Sequence, residues 1–402
     1  MYTGRVVFSQ LMDVIPKYEF RNFFDHHNGN YYVKSFTCWD QLLCMCFAQF
    51  TFRDSLRDLT STLNALGSRR YHLGIKYQVP LSTTSDANAL RSWHIYHDLA
   101  MVLIQKARKA YAGDNDLSAL TESVYALDAT TIDLCLTLFP WAKFRTSKAA
   151  IKLHTLMDLE GSVPTFIHIS EGRTHDVNVL DMLPVTAGSV YIMDRGYTDF
   201  KRLYKLHQAG GRFVIRAKKN LQFYRKSSTP THADKSLRCD QIVRLNGQDT
   251  KKYFPEIIRR VHVIDKERNK DIVILTNIFD CDASQISTYY KQSWQIELFF
   301  KWIKQHLKIK SFYGQTVNAV KTQIWTAICS YLIIVIVHKN HKFDTNLHTM
   351  MQVLSVAILE RMVLKELFCE KSLTEVDIGH RNQLGLFGFY PDTCDNLLFF
   401  NP

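Results

Sequence analysis

Apolar residues follow three successive patterns along this 402-residue chain. Up to about residue 120 they recur at mixed spacings of three and four, the period of amphipathic helices. FTCWDQLLCMCFAQF and SLRDLTSTLNAL each predict a helix, the second capped by Ser55. STTSDANALRSWHIYHDLAMVLIQKARKAY predicts another, capped by Ser85 or Asp86, with its stripe running through Leu99, Val102 and Leu103. A strand-rich pattern follows. SVYALDAT, TIDLCLTLF, AIKLHTLMDLEG and SVPTFIHIS read as successive strands, with Glu160-Gly161-Ser162 as a hairpin turn. Strands then alternate with helices. THDVNVLDML predicts a helix capped by Thr174, SVYIMDRGY a strand, and RFVIRAKKN another strand. Between those strands, TDFKRLYKLHQAGG predicts a helix opened by Thr198 and closed by Gly210-Gly211. A meander followed by alternation implies an α/β fold, a mixed sheet covered by helices.

Residues 220 to 270 depart from this pattern. They are polar and basic, with short strand-like pieces (QIVRLN, RRVHVID), and read as a β-rich insertion. DIVILTNIF returns to the core. One long amphipathic helix is expected from Asp282 to about Lys310, further helix from 314 to 366, and a Gly-, Pro- and aromatic-rich tail packed on the body. Four units follow: a helical N-terminal domain over 1–120, a core over 121–219 and 271–340, the insertion over 220–270, and a C-terminal region over 341–402. The apolar run IWTAICSYLIIVIVH is shorter than the roughly 20 residues a membrane span needs, so it reads as a buried helix or strand.

Charge narrows the partners. The formal net charge is +12, which favours a polyanion, nucleic acid above all. Arg and Lys scattered over the N-terminal helices fit a DNA-end reader or a solvated packing surface equally well. The nine cysteines are odd in number and irregularly spaced, with no C-x-x-C, which points to a reducing cytoplasm rather than disulfides or a zinc ribbon. No apolar run follows a basic start, so no signal peptide is visible. Walker, G-x-S-x-G and HExxH patterns do not occur, and nucleotide hydrolysis and serine acyl transfer lack support.

Three acids carry the chemistry. Asp128 in VYALDATTIDL and Asp194 in VYIMDRGYTDF each follow a β-branched and aromatic run, so each is expected at or near a strand end. Glu297 lies in YKQSWQIELFFKWIKQ, where Tyr290, Glu297 and Lys304 are seven apart and share a helix face, with Ser293 and Lys301 beside it. Two strand-borne aspartates and a helix-borne glutamate can converge on a pair of divalent cations and support in-line phosphodiester displacement. Periodicity does not separate Asp128 and Asp194 from Asp133, Asp158 or Asp199, any of which can form a turn or cap. His154 and His175 are better read as core or phosphate-contacting residues than as metal ligands.

With these residues in place, the chain resembles the DDE transposases of bacterial insertion sequences, in the group of insertion sequence four whose signature is Tyr-x2-Arg-x3-Glu-x6-Lys. Here it reads Tyr290, Ser293, Glu297 and Lys304, with every spacing kept and Ser in place of Arg. YALDATTIDL and IMDRGYTDF resemble the first and second Asp motifs. AAIKLHTLMDLEGSVPTFIHISEGRTHDV, GGRFVIRAKKN and the N-terminal SLRDL and STTSDANALRSWHIYHDLA also resemble family sequence. The resemblance covers most of residues 10 to 340.

It implies an RNase H-like core interrupted by the insertion, with Asp128, Asp194 and Glu297 binding two Mg²⁺ or Mn²⁺. It implies binding to terminal inverted repeats, cleavage and strand transfer, and a homodimer bridging two DNA ends in the cytoplasm at the nucleoid, with no membrane partner. Tyr290, Ser293, Lys301, Lys304, Lys152 and Arg216 would contact DNA. Phe223, Tyr224, Arg225 and Lys226 of the insertion would handle distorted or flipped bases. Ser293 donates one hydrogen bond where Arg would grip phosphate with two, so Ser293→Arg is expected to raise end cleavage. The alternatives are a decayed or DNA-binding relic, and another RNase H-like nuclease such as a junction resolvase.

Overall fold

The computed structural model describes residues 4–111, 123–146, 148–230, 237–265, 270–306 and 312–368. The helices are α1 (Val7–Leu11), α2 (Lys17–His26), α3 (Cys38–Phe50), α4 (Leu56–Ala65), α5 (Leu81–Leu90), α6 (His94–Tyr111), α7 (Phe200–Gln208), α8 (Gln248–Tyr253), α9 (Ala283–Gln292), α10 (Trp294–His306), α11 (Val317–His341), α12 (Leu347–Ala357) and α13 (Leu364–Phe368). The strands are β1 (Val124–Leu134), β2 (Lys143–Arg145), β3 (Lys148–Asp158), β4 (Val163–Glu171), β5 (Val190–Met193), β6 (Arg212–Arg216), β7 (Phe223–Thr229), β8 (Leu237–Leu245), β9 (Ile257–Asp265) and β10 (Lys270–Thr276).

All ten strands form one mixed sheet. β4, β3 and β1 make an antiparallel meander, and β5 and β6 add in parallel on the far side of β1. Three antiparallel strands followed by two parallel ones is the RNase H-like order. β10 closes antiparallel onto β6, and β9, β8 and β7 of the 220–270 segment continue the same sheet outward. On one face Tyr125, Leu127, Tyr191 and Phe213 pack with Leu203 and Leu206 of α7. On the other Val124, Ala126 and Ile192 join Phe299 and Ile303 of α10 and the helices around α11.

α11 is apolar all round because it is buried all round. It packs against α3, α5, α6 and α12, so the N-terminal helices enclose it like a sleeve. It is long and apolar enough to cross a bilayer, yet 94% of its apolar window is buried in the protein. The run at 324–338 is thus a core helix.

Side chains cap several helices at their starts. Thr37 and Asp40 form a reciprocal capping box at α3, and Ser55 accepts from the Asp58 N–H at α4. Four sequence expectations need correcting. The segment 82–111 is two helices, because the chain is extended at Arg91; Ser85 and Asp86 lie inside α5 rather than capping it. SVYALDAT and TIDLCLTLF are not two strands, since β1 runs unbroken from Val124 to Leu134. Thr174 caps no α-helix: residues 176–181 form a 3₁₀ turn. α7 is opened by Asp199, whose carboxylate accepts from Arg202 N–H, instead of by Thr198. The expected tail after 376 lies outside the described residues.

Candidate active site

β1 and β5 pair in parallel up to Leu127 opposite Met193. The next residues on the two strands are Asp128 and Asp194, so the ladder sets two carboxylates side by side where it stops. It stops because β5 gives way to a 3₁₀ turn at Arg195–Tyr197, closed by Tyr197 N–H on Asp194 O at 3.1 Å. Asp194 therefore follows a strand end, whereas Asp128 is inside β1, held opposite Thr155 of β3. Glu297 projects from the first turn of α10. It shares a groove of 540 Å³ with Asp128, Thr130, Phe300, Lys301 and Lys304.

The charges in this groove interact. The Asp128 carboxyl is pushed up to about 6, by burial first and then by the negative charges of Asp194, Glu297 and Asp176. The Ala129 N–H, 2.7 Å from Asp128 Oδ1, opposes the shift. The competing aspartates have other tasks. Asp158 sits 3.7 Å from Arg108 at the far end of β3, Asp199 caps α7 and pairs with Arg202, and Asp133 is exposed farther along β1.

The expected helix from 282 to 310 is broken, and Ser293 is the break. Its hydroxyl donates to the Tyr290 carbonyl at 2.7 Å and ends α9, so Tyr290 and Glu297 belong to different helices. The seven-residue argument holds for Glu297 and Lys304 alone. Tyr290 still faces the acids. Its phenol is pushed up to about 12 by burial and by Asp194 and Glu297, while Arg216, hydrogen-bonded to it, pulls the other way. Arg216 ends β6 and lies 4.0 Å from Asp194. Lys152 is engaged inside the protein, 2.8 Å from both Thr174 O and Asp176 Oδ1. Asp176 is thus a fourth acid near the site. It stands in the EGRTHDV segment, but nothing in its spacing marks it. Phe223 of β7 lies under the Arg260 guanidinium, and Tyr224, Arg225 and Lys226 are exposed on the same strand.

His154 is buried beside Ser170 Oγ at 2.9 Å, and burial pushes its imidazole down to about 4. The folded imidazole titrates below the unfolded one, near 6.5. Its contribution to stability is therefore full above about pH 6.5 and falls as pH drops toward 4. Melting temperatures over this range should decline less steeply in His154→Gln than in wild type; parallel declines would exclude His154 as the source. His175 is exposed at the start of the 3₁₀ turn.

Among the described residues, no three His, Cys, Asp or Glu side chains are gathered closely enough to hold one ion. The donor set nevertheless fits a hard divalent cation. It is all carboxylate, and Asp128 is shifted upward by burial first and then by negative charge that a cation would neutralise. Buried hydroxyls next to it also lack partners.

Comparison with known proteins bears on the family. Residues 119–333 match the family described as Transposase DDE domain, and residues 3–76 match a domain of unknown function (DUF4372). A probable transposase for insertion sequence element IS5377 of Geobacillus stearothermophilus is 30% identical over 55% of this chain, and the match spans 58% of that relative. A protein named "Putative transposase y4zB" from Sinorhizobium fredii is 30% identical over 62% of this chain and 69% of its own length. Among solved structures, the piggyBac transposase synaptic complex with hairpin DNA aligns with a TM-score of 0.45 at 14% identity, over 90% of this chain and 80% of that one, a likeness too loose to carry an argument. On the strength of the matched transposase domain, this chain belongs to the DDE transposase family of insertion sequences.

Proposed function

We propose that this transposase binds the terminal inverted repeats of its element and catalyses cation-dependent cleavage and strand transfer, with Asp128, Asp194 and Glu297 as the catalytic carboxylates. The observation that carries this reading is geometric: the β1–β5 ladder ends just before Asp128 and Asp194, and Asp128 shares with Glu297 a groove that also presents Lys301 and Lys304. Asp128, Asp194 and Glu297 would hold two Mg²⁺ or Mn²⁺, which when bound supply Lewis-acid activation of the phosphodiester. The chain's own groups position the DNA. Lys304 and Lys301 line the groove as point charges for phosphate, and Arg216 with Tyr290 presents a guanidinium and a phenol beside Asp194. The exposed Tyr224, Arg225 and Lys226 of β7 offer a stacking ring and two cations to distorted DNA. A homodimer bridging two ends, acting in the cytoplasm at the nucleoid, completes the proposal.

The test is nicking of a labelled duplex that carries the element's terminal repeat, with Mg²⁺ or EDTA, beside Asp194→Asn. Cation-dependent nicking at the element boundary, absent in the variant, is expected. Cleavage of branched DNA regardless of sequence would favour a resolvase instead, and binding without nicking would favour a relic. Lys304→Ala is expected to weaken DNA binding and to reduce the slope of log K against log salt by about one, as for one lost phosphate contact. An unchanged slope would remove Lys304 from the DNA path.

A further inference from the structure

Buried hydroxyls lie at the end of the sheet that carries the two aspartates, Thr155 on the α10 side and Tyr197 in the cluster on the α7 side. Thr155, directly across from Asp128 on β3, is fully buried. Tyr197, three residues past Asp194, is 2% exposed, and Thr198 follows it, also buried. Their hydroxyls have no hydrogen-bond partner among the described residues. Buried O–H groups normally find an acceptor, and leaving one unpaired is unfavourable. Thr155 faces Asp128 across the β1–β3 ladder, and the Tyr197 backbone closes the turn on Asp194, so the unpaired hydroxyls of these two residues mark a site whose hydrogen bonds are completed in another state.

The missing acceptors are at hand. The three catalytic carboxylates are not yet gathered for one ion, so they must turn when a cation binds. We propose that Tyr197 is a positioning residue of the cation site: its phenol O–H donates to an inward-turned carboxylate oxygen of Asp128 or Asp194, and Thr155 donates to Asp128 in the same way. Donation to the ionised carboxylate favours the charged, ligating form and fixes its orientation. Tyr197 suits this role. Burial, with Asp128, Asp176 and Asp194 nearby, holds its phenol well above the usual range, so it stays a donor. The inference rests on the reading that these acids bind a divalent cation.

Tyr197→Phe keeps the ring, which packs in the core beside Leu203 and Phe213, and removes only the O–H. Mn²⁺ binding to the full-length protein without DNA is measured by titration calorimetry and by the cation-induced rise in melting temperature. The variant is expected to melt at or above the wild-type temperature without cation, because an unpaired hydroxyl is gone. Its Mn²⁺ affinity is expected to fall roughly 10- to 100-fold, the usual consequence of losing an outer-shell partner. Thr155→Val should shift both readouts in the same directions and serves where Tyr197→Phe fails to fold. Wild-type Mn²⁺ affinity in both variants, with binding lost in Asp194→Asn, would overturn the positioning role alone. Wild-type affinity in Asp194→Asn would overturn the cation site itself. A lower cation-free melting temperature with unchanged Mn²⁺ affinity would mark these hydroxyls as structural and also overturn the proposal.

Discussion

Replacing Asp128, Asp194 or Glu297 by its amide is expected to lower cation-dependent nicking on the order of 10³-fold while DNA binding changes by less than about threefold. Changes behind a metal ligand already cost about 10–100-fold, so loss of a ligand charge should cost more. Groups acting as one unit are not additive, and a double amide variant should be barely worse than a single one. Binding should persist because, on the proposed function, the phosphate contacts would come from Lys301, Lys304 and Arg216. Asp128→Asn carries a second signature. Its carboxyl is raised by burial and by three neighbouring acids, so its ionised form destabilises the cation-free protein at neutral pH. The amide should therefore raise the cation-free melting temperature as it removes activity. Nicking within tenfold of wild type in any of the three variants would sink the assignment.

What sequence made legible, and what it did not, divides along physical lines. The meander, the strands bearing the two aspartates and the return strand DIVILTNIF were readable because alternation and β-branched runs report local burial. Breaks in helices were harder. The stripe around Glu297 keeps its period across residue 293, yet a Ser hydroxyl bonded to the Tyr290 carbonyl ends one helix there. Arg91 breaks 82–111 through contacts with Phe36 O, Thr37 O and Gln41, which lie 50 to 55 positions away and which no local pattern records. The same limit applies at the site. Asp128, Asp194 and Glu297 stand in motifs, whereas Asp176 is a site neighbour only through tertiary placement, and its ion pair with Lys152 is equally invisible in the spacing. Choosing among Asp128, Asp133 and Asp158 needed the register of β1 against β3 and β5, which spacing does not contain.

Arg216→Ala is expected to lower end cleavage roughly 10- to 100-fold, and Ser293→Arg to raise it in wild type and to recover more of it in the Arg216→Ala background. A charge-assisted phosphate contact is worth about 1–3 kcal/mol. The family signature places a guanidinium at the position Ser293 occupies, and the serine hydroxyl is already used on the Tyr290 carbonyl. Arg216 reaches the same neighbourhood from β6, bonded to the Tyr290 phenol and 4.0 Å from Asp194. With that guanidinium present, an added arginine has less to gain. Without it, the gain should approach the full contact, and a double-mutant cycle separates the two cases. Against this stands the loss of the serine's bond at the helix junction, about 0.5–1.5 kcal/mol, on a half-buried turn that Arg tolerates as a good helix former. Single-turnover nicking of the end duplex reads all four proteins. If Ser293→Arg cleaves no better than wild type and rescues nothing, the two positions do not serve the same phosphate, and Ser293 is only the stop that turns α9 into α10.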